Sequence, residues 1–355
     1  MATRYTIGAG AVTDVSKWDG GTAVPVAGDI VQIRHAMTIG TGLTFPNVGT
    51  DPFASLDLAA AGGTNPRLTV TGDVTIRTPI LTGLNKLYTA AAGDLTITGG
   101  TSPAVTATTA RNQGWLVCEG GDIVFGTGST MTVGGSTCAD QGIIIGEDAT
   151  LTVATLSGTS ADNFGVQNNG TLNANVTGVS NTASGVRNDG TITGNVVGRV
   201  IGNAVGPAVY GVENPATIIG NVEGYGRGTA LGVECALAIT GTVLGVATEA
   251  VGVLVWGTQT GNVFGISGSS YGVYVSGGTV VADSIQATSA SAVAFKADTM
   301  DETPPTLTES TGSHGVELTV RRLDGGQAIE MDTGTVISDT LKVTYVSNPT
   351  APLMV

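Results

Sequence analysis

The sequence predicts an all-β fold, a parallel β-solenoid whose coils hold about twenty residues each. One observation is a Gly-Val pair that recurs twenty or twenty-one residues apart, with one longer step after Val186 and an Ala292-Val293 pair that closes the series. Another is that further apolar residues and a glycine follow each pair at fixed distances. A third is composition, because 55 glycines with only 5% aromatic and 12% charged residues suit thin coils with frequent corners.

The repeated aliphatic residues are the predicted core. Thr, Val and Ile favour strands, and no segment of the repeat is long enough for a helix, so each repeat builds three short strands separated by tight turns. Successive coils would pair in parallel at roughly 4.8 Å, which stacks equivalent side chains into buried columns. The first-strand column comprises Val166, Val186, Val212, Val233, Val253 and Val273, the second-strand column Leu172, Ile192, Ile218 and Ile239, and the third-strand column Val176, Val196, Val222, Val243 and Val263, followed two residues later by a glycine.

Two further columns consist of asparagine. One comprises Asn168, Asn188 and Asn214, two residues after the first-strand valine, and the other Asn175, Asn195, Asn221 and Asn262, one residue before the third-strand valine. Amides stacked at a turn can pass hydrogen bonds from coil to coil, and asparagine tolerates the left-handed conformation of corners. Structural ladders are therefore predicted rather than glycosylation or sugar-binding sites. Cys235 stands where a fourth asparagine of the first column would be, which predicts a buried, unreactive thiol.

The chain is expected to form one solenoid with four segments. Residues 1–60 are predicted to be an N-terminal cap and first strands, with Trp18 as the lid near Tyr5, Phe45 and Phe53, because a solenoid needs an atypical first coil to cover its core. Residues 61–160 are predicted to form irregular coils, and residues 161–300 the regular repeats. Residues 301–355 are predicted to be a small β-rich C-terminal segment for attachment or oligomerisation, in which Leu353, Met354 and Val355 pack on a partner.

Charge and cysteine content bound the environment and the partners. The formal net charge is −14, which disfavours nucleic acid and anionic membranes as partners. Three cysteines at wide spacing (Cys118, Cys138 and Cys235) match neither a disulfide framework nor a zinc site. The N-terminal residues lack the pattern of a signal peptide, so assembly in a cytoplasm is expected.

No residue pattern predicts catalysis, a cofactor or a metal. The sequence contains no nucleotide-binding loop, nucleophile elbow or paired-histidine motif, and His35 and His314 lie far apart. Carboxylates were considered because glycoside hydrolysis uses acid pairs. Three groups are candidates: Glu147 with Asp148, Glu330 with Asp332, and Asp298 with Asp301 and Glu302. The adjacent pair would face opposite sides of a strand, and the other two groups are expected to lack the aromatic platforms and basic residues of a sugar cleft.

The repeats resemble two groups of β-helical proteins. The phrase Asn188-Asp-Gly-Thr-Ile-Thr-Gly-Asn-Val196 is similar to repeats in passenger stalks of bacterial autotransporters and adhesins. It is also similar to repeats in β-helical spikes, fibres and capsid-decorating proteins of tailed bacteriophages. The resemblance covers about residues 160–295, and residues 18–33 loosely resemble the first coils of such proteins. Autotransporters require a signal peptide and a membrane barrel, whereas virion proteins do not. Because the N-terminal residues lack the pattern of a signal peptide, a virion protein is the favoured expectation.

The resulting expectation is a non-catalytic structural protein of a bacteriophage particle that decorates or reinforces the capsid or tail. Its expected partners are further copies of itself, as a homo-oligomer with a trimer favoured, and capsid or tail subunits. One alternative is a tail spike or fibre that binds host surface glycans and cleaves them in some cases. Another alternative is an adhesin-like bacterial stalk.

Overall fold

The computed structural model describes residues 1–46, 51–83, 86–89, 95–99, 104–109, 117–118, 121–125, 129–134, 142–147, 149–203, 209–299, 304–308, 316–322, 327–331, 336–337 and 341–345. Within these residues the chain is a parallel β-solenoid, as the repeat predicts, and a 3-10 helix spans Val15–Lys17. The chain divides into two compact units. The first comprises Met1–Ala161 and Val166–Val176, and the second comprises Asp162–Gly165 and Thr177–Val355.

The first unit contains short strands that repeat at irregular distances. They are β1 (Thr3–Tyr5), β2 (Gly10–Ala11), β3 (Ile30–Gln32), β4 (Ala36–Ile39), β5 (Leu43–Phe45), β6 (Ser55–Asp57), β7 (Arg67–Val70), β8 (Val74–Arg77), β9 (Ile80–Thr82), β10 (Leu87–Thr89), β11 (Leu95–Thr98), β12 (Thr106–Thr108), β13 (Val117–Cys118), β14 (Gly121–Phe125), β15 (Thr130–Gly134), β16 (Ile143–Ile145), β17 (Ala149–Ser160), β18 (Val166–Asn168) and the first residues of β19 (Thr171–Ser180).

These strands pair in parallel with the equivalent strand of the next coil. One stack runs β1, β3, β6, β9, β12, β15 and the second half of β17. Another runs β5, β8, β11, β14 and the first half of β17. The remaining strands form the stacks β2-β4-β7-β10 and β13-β16-β18. The irregular coils expected from the sequence therefore still build continuous parallel sheets.

The start of the first unit has a compact aromatic core. Trp18 is completely buried, and its indole N–H donates to the carbonyl oxygen of Val12 over 2.9 Å. Its ring centroid lies 6.1 Å from that of Phe45, which in turn lies 4.6 Å from that of Phe53 in an edge-to-face arrangement. An isolated antiparallel bridge joins Trp18 to Thr6. Trp18 thus occupies the interior of the first coils.

The second unit repeats three strands per coil over seven coils. They are β20 (Val186–Asn188), β21 (Thr191–Thr193), β22 (Val196–Val200), β23 (Tyr210–Asn214), β24 (Thr217–Ile219), β25 (Val222–Gly226), β26 (Leu231–Cys235), β27 (Ala238–Thr240), β28 (Val243–Ala247), β29 (Val253–Val255), β30 (Thr258–Thr260), β31 (Val263–Ser267), β32 (Val273–Ser276), β33 (Thr279–Val281), β34 (Ser284–Ser289), β35 (Phe295–Asp298), β36 (Thr306–Thr308), β37 (Val316–Arg322), β38 (Ile329–Met331), β39 (Val336–Ile337) and β40 (Leu341–Tyr345).

The three strands of a coil belong to three parallel stacks, named here first, second and third. The first stack runs from β20 through every third strand to β38. The second runs likewise from β21 to β39. The third runs from β22 to β40. The C-terminal strands β36 to β40 therefore extend the same three stacks.

The register corrects one end of the repeat. Val273 pairs with Phe295, so Ala294-Phe295 occupies the place of the Gly-Val pair, and Val293 is only half-buried. The Ala292-Val293 pair that the spacing suggested is therefore two residues out of register. The step of twenty-two residues from Val273 to Phe295 accounts for the error, because the preceding steps hold twenty or twenty-one residues.

Glycines bring the third strand of one coil into close contact with the start of the first strand of the next coil. A Cβ atom added at Gly198, Gly224 or Gly245 would overlap the backbone carbonyl of the glycine that begins the following Gly-Val pair. The constraint is steric, since none of these three has a positive φ. At the step into the coil that contains Phe295, alanines stand at both positions, Ala287 in β34 and Ala294 just before β35, and both are buried.

Candidate functional site

The predicted aliphatic columns form the interior of the coils. All members of the first-strand and third-strand columns are buried, with at most 1% of the side chain exposed. The second-strand column is interrupted at Gln259, which pairs with Ile239 on one side and Val280 on the other. Gln259 is fully buried, and its Nε2 donates to the carbonyl of Gly241 over 2.7 Å. One polar side chain therefore lies within an otherwise aliphatic column.

The first asparagine column lies inside the coils. Asn168, Asn188 and Asn214 are fully buried. Asn188 Nδ2 donates to Asn214 Oδ1 over 2.8 Å and to the carbonyl of Thr217 over 2.9 Å, and Asn214 Nδ2 donates to the carbonyl of Ala238 over 2.9 Å. Within the second unit these amides tie the first three coils together.

Cys235 pairs with Asn214 in the adjacent coil and is fully buried. Its Sγ donates to the carbonyl of Thr258 at 3.5 Å, a bond equivalent to the one from Asn214 to Ala238. Burial raises the pKa of the thiol to about 12, so the thiolate that reacts with electrophiles is scarce at neutral pH. Cys138 and the side chain of Cys118 lie outside the described residues.

The second asparagine column lies at an outer corner and bonds differently. Asn175, Asn195 and Asn221 are exposed, and Asn262 is half-buried. Asn195 Oδ1 accepts the backbone N–H of Asn221, Asn221 Oδ1 that of Thr242, and Asn262 Oδ1 that of Ser284, over 2.9 to 3.0 Å. The bonds are therefore from side chain to backbone, and they satisfy N–H groups at the corner.

Three buried serines at equivalent corners also join neighbouring coils, and the sequence reasoning missed them. Ser180, Ser267 and Ser289 each donate to a carbonyl of the preceding turn over 2.7 to 2.8 Å and accept a backbone N–H three residues later. Each stands five residues before a Gly-Val pair or its Ala294-Phe295 equivalent. That constant spacing was a readable signal.

The outward-facing side chains of the first stack form a single line. They are Arg187, Glu213, Glu234, Leu254, Tyr274, Lys296 and Glu330, each paired in register with the next. Two groups of charged and aromatic residues lie along this line. Sequence spacing could not reveal them, because their members are twenty-one to thirty-four residues apart.

The first group contains a stacked carboxylate pair, Glu213 and Glu234. Arg187 Nη1 lies 3.0 Å from Glu213 Oε1, and Ser184 Oγ donates to Glu213 Oε2 over 2.8 Å. Glu234 is only 6% exposed, and its carboxyl group is hydrogen-bonded to the side chain of Tyr210, which is also buried. Burial, with the charge of Glu213, raises the pKa of Glu234 to about 7. Burial also raises the pKa of Glu213, although Ser184 and Arg187 oppose that shift.

The second group contains two of the carboxylates that the sequence analysis considered, Asp298 and Glu330. Lys296 Nζ lies 3.3 Å from Asp298 Oδ2 and 3.4 Å from Glu330 Oε1. The same ammonium lies 5.4 and 5.5 Å from the ring centroids of Tyr271 and Tyr274, and Tyr274 donates its hydroxyl to Asp298 over 2.9 Å. The expectation that these acids lack aromatic and basic neighbours is therefore wrong, because stacking of β32, β35 and β38 brings them together.

The charge balance of this second group is that of an ion-pair cluster. Burial opposes the charge of Lys296, but Tyr271, Asp298 and Glu330 outweigh burial and raise the pKa of the ammonium. The other candidate acids, Asp148, Asp301, Glu302 and Asp332, lie outside the described residues, as do His314 and the predicted attachment residues Leu353, Met354 and Val355.

The third stack carries a groove on its outer face. Its volume is about 520 Å³, and Leu244, Phe264 and Ile266 form its apolar floor. Glu223 and Gln286 lie at its two ends, one coil beyond the apolar residues on either side. A largely apolar cleft with a few polar groups at its margin is the usual form of a ligand site.

The described residues contain no group of three or more His, Cys, Asp and Glu side chains arranged to hold a metal ion. None of their helical structure is long and apolar enough to cross a membrane. A scan against protein-family models finds no match, and searches of curated proteins and of solved structures find none either. Fold and geometry thus define a class, the parallel β-solenoid repeat proteins.

Proposed function

We propose that this chain is a non-catalytic structural protein of a bacteriophage particle, which decorates or reinforces the capsid or the tail as a β-helical homo-oligomer. The observation that carries the proposal is the set of bonds repeated between consecutive coils. Buried asparagine, buried serine and corner asparagine side chains all link neighbouring coils. Such repetition serves the rigidity and length of a stack, which are the properties that a particle component needs.

The ion-pair cluster supports a non-catalytic role. Glycoside hydrolysis requires one protonated and one ionised carboxyl group across the scissile bond. Lys296 pairs with both Asp298 and Glu330, at 3.3 and 3.4 Å, so both carboxylates have a cationic partner. The cluster therefore joins β35 to β38 and is not arranged as an acid and a base that face each other across a substrate. The resemblance of the repeats to β-helical phage proteins supports the virion as the location.

Purified particles provide the test. Particles from a culture that produces this chain would be banded by density, analysed by quantitative mass spectrometry and labelled with an antibody against the chain. The expected result is a fixed number of copies per particle and labelling at regular positions on capsid or tail. Expression of the chain without its recovery in particles would reject the proposal.

A second candidate function is glycan binding, which the groove on the third stack favours. Phe264 and Leu244 offer an apolar floor for the carbon face of a sugar, and Glu223 and Gln286 offer acceptors and donors for its hydroxyl groups. The test is an array of neutral and acidic bacterial glycans probed with the whole protein and with Phe264→Ala. Glycan binding predicts retention on neutral glycans that Phe264→Ala reduces at least tenfold, whereas no retention on any glycan rejects this candidate.

A further inference from the structure

The outer face of the second stack differs from the other two faces of the second unit. In β21, β24, β27, β30, β33 and β36 the middle residue is buried and the two flanking residues point outward. Nine of these twelve outward positions are threonine: Thr191, Thr193, Thr217, Thr240, Thr258, Thr260, Thr279, Thr306 and Thr308. The other three are Ile219, Ala238 and Val281, so the face contains no charged residue.

The preference of threonine for strands does not explain this face. The outward residues of the first stack include Arg187, Glu213 and Lys296, and those of the third stack include Glu223 and Arg321. Each of the three stacks is a parallel sheet of seven strands, and the same β-propensity acts on each of them. An uncharged surface made mostly of threonine, on only one of the three stacks of the second unit, therefore requires a reason specific to that face.

The threonines form a two-dimensional lattice. Thr191 pairs with Thr217, and Thr258 with Thr279 and then Thr306, in register from coil to coil. The coils lie about 4.8 Å apart, and the two outward residues of a strand are separated by about 6.6 Å. Each lattice point presents one hydroxyl and one methyl group on a β-branched side chain whose χ1 is restricted.

The backbone holds the lattice rigidly. The residue after these strands is a glycine with positive φ in successive coils, for example Gly220 at +149° and Gly241 at +142°. A Cβ atom at either position would overlap the carbonyl oxygen of the corresponding glycine one coil earlier. Each coil therefore turns in the same way at the same place, which keeps neighbouring strands in register.

The first unit carries the same pattern independently. Strands β9, β12, β15 and the second half of β17 are stacked in register, and their outward positions are Ile80, Thr82, Thr106, Thr108, Thr130, Thr132, Thr155 and Ser157. Seven of these eight side chains carry a hydroxyl group, and none is charged. Two different sets of coils, one irregular and one regular, therefore converge on the same surface chemistry.

We infer that the threonine lattice on the outer face of the second stack binds the surface of ice. Hexagonal ice repeats its water oxygens along two perpendicular directions at spacings close to those of the lattice. Water molecules that bridge the threonines are then already near ice positions, so little further immobilisation entropy is lost when they join the crystal. Charged groups would hold water in other orientations, and the face contains none. This inference does not rest on the proposed function.

Ice affinity is tested with the whole protein and two matched variants. Thr258→Lys places a charge in the middle of the lattice, at an exposed position. Val197→Lys places the same charge at a half-buried position on the outer face of the third stack, outside the groove. Fluorescently labelled protein is mixed with water, ice is grown slowly on a cold finger, and the label is measured in the ice and in the remaining liquid. Ice recrystallisation is followed by microscopy in parallel.

The wild type and Val197→Lys should be enriched in the ice and inhibit recrystallisation, whereas Thr258→Lys should lose at least tenfold of both effects with an unchanged β-rich circular dichroism spectrum. Exclusion of the wild type from the ice would overturn the inference. Equal losses in both lysine variants would overturn the assignment to this face. A fall in sedimenting mass caused by Thr258→Lys alone would show instead that the face is a contact between copies.

Discussion

At the scale of single residues, the interior of the second unit relies on polar side chains whose partners lie one coil away. Asn188 and Asn214 are fully buried, and the amide of the first donates directly to the amide oxygen of the second. Burying an amide is tolerable only where its hydrogen bonds are made. The regular stack supplies such partners, because each coil places a backbone carbonyl group at the equivalent position beside the amide of the preceding coil.

Replacement of Asn214 by alanine tests the buried ladder. The variant removes the acceptor of Asn188 Nδ2 and the bond to Ala238 O, so the free energy of unfolding should fall by about 1–3 kcal/mol. Asn195→Ala is the matched control at the exposed corner, where water can replace the lost bond to the backbone N–H of Asn221 and the cost should be smaller. Urea titrations of both variants give the comparison, and equal losses would contradict the distinction between the two columns.

The buried carboxyl of Glu234 makes stability depend on pH. Its folded pKa of about 7 lies above the ordinary value of 4.5, so folding disfavours the ionised form. The contribution of this carboxyl group to the free energy of unfolding is fully present below pH 4.5. It decreases as the pH rises through 7, by about 3 kcal/mol in total. The decrease should appear in urea titrations between pH 5 and pH 8.

Glu234→Gln is the informative variant for that decrease. An amide keeps a hydrogen-bonding partner for Tyr210 but cannot ionise, so the variant should be more stable than the wild type at pH 8 and should lose most of the pH dependence. Glu330→Gln is the control, because Glu330 is exposed and paired with Lys296. An unchanged pH dependence in Glu234→Gln would assign the effect to another group.

At the scale of strands, the glycines of the first and third stacks decide how closely the third strand of one coil approaches the first strand of the next. The Cβ atom that any other residue would add at Gly245 meets the backbone carbonyl of Gly252, which cannot move aside as a flexible side chain can. The same positions are alanine in the coil of Ala287 and Ala294. The presence or absence of one methyl group, alanine or glycine, thus determines how closely the two strands approach at each step of the stack.

Gly245→Ala tests this contact. The added methyl group must push β28 away from β29, which disturbs two stacks at once and should lower the free energy of unfolding by about 1–3 kcal/mol or more. Gly8→Ala is the control, because a Cβ there meets only the side chain of Lys17 at 3.7 Å. Thermal unfolding followed by circular dichroism measures both, and equal melting temperatures would exclude a steric role for the glycine.

At the scale of the whole molecule, the proposed structural role requires protected ends. A solenoid whose terminal strands stay unpaired exposes edges that invite uncontrolled association. Trp18, Phe45 and Phe53 fill the interior of the first coils. The apolar residues Pro352 to Val355 at the other end of the sequence suit burial on a sister chain, and a closed trimer is the proposed arrangement.

Deletion of residues 351–355 tests that arrangement. The truncated protein should sediment as a smaller species than the full chain or fail to attach to particles, while its far-ultraviolet circular dichroism spectrum stays unchanged. Analytical ultracentrifugation of the two proteins measures the mass directly. A full-length protein that sediments as a monomer and never copurifies with particles would end the proposal of a trimer.

The sequence by itself determined the β-solenoid, its three strands per regular coil and the residues that form its columns. These features are local and periodic, since each coil repeats the same order of valine, asparagine and glycine. The error at Ala292-Val293 shows the limit of this reasoning, because one longer step shifted the true pair to Ala294-Phe295.

Only the tertiary structure decided which outward residues meet. Glu213 with Glu234, Lys296 with Asp298 and Glu330, and the threonine lattice all arise from pairing between coils. Outward side chains need not repeat, since water accepts almost any residue there, so no periodic signal marks their contacts. Their positions depend on the length of every intervening turn, which the register of the stacked strands settles.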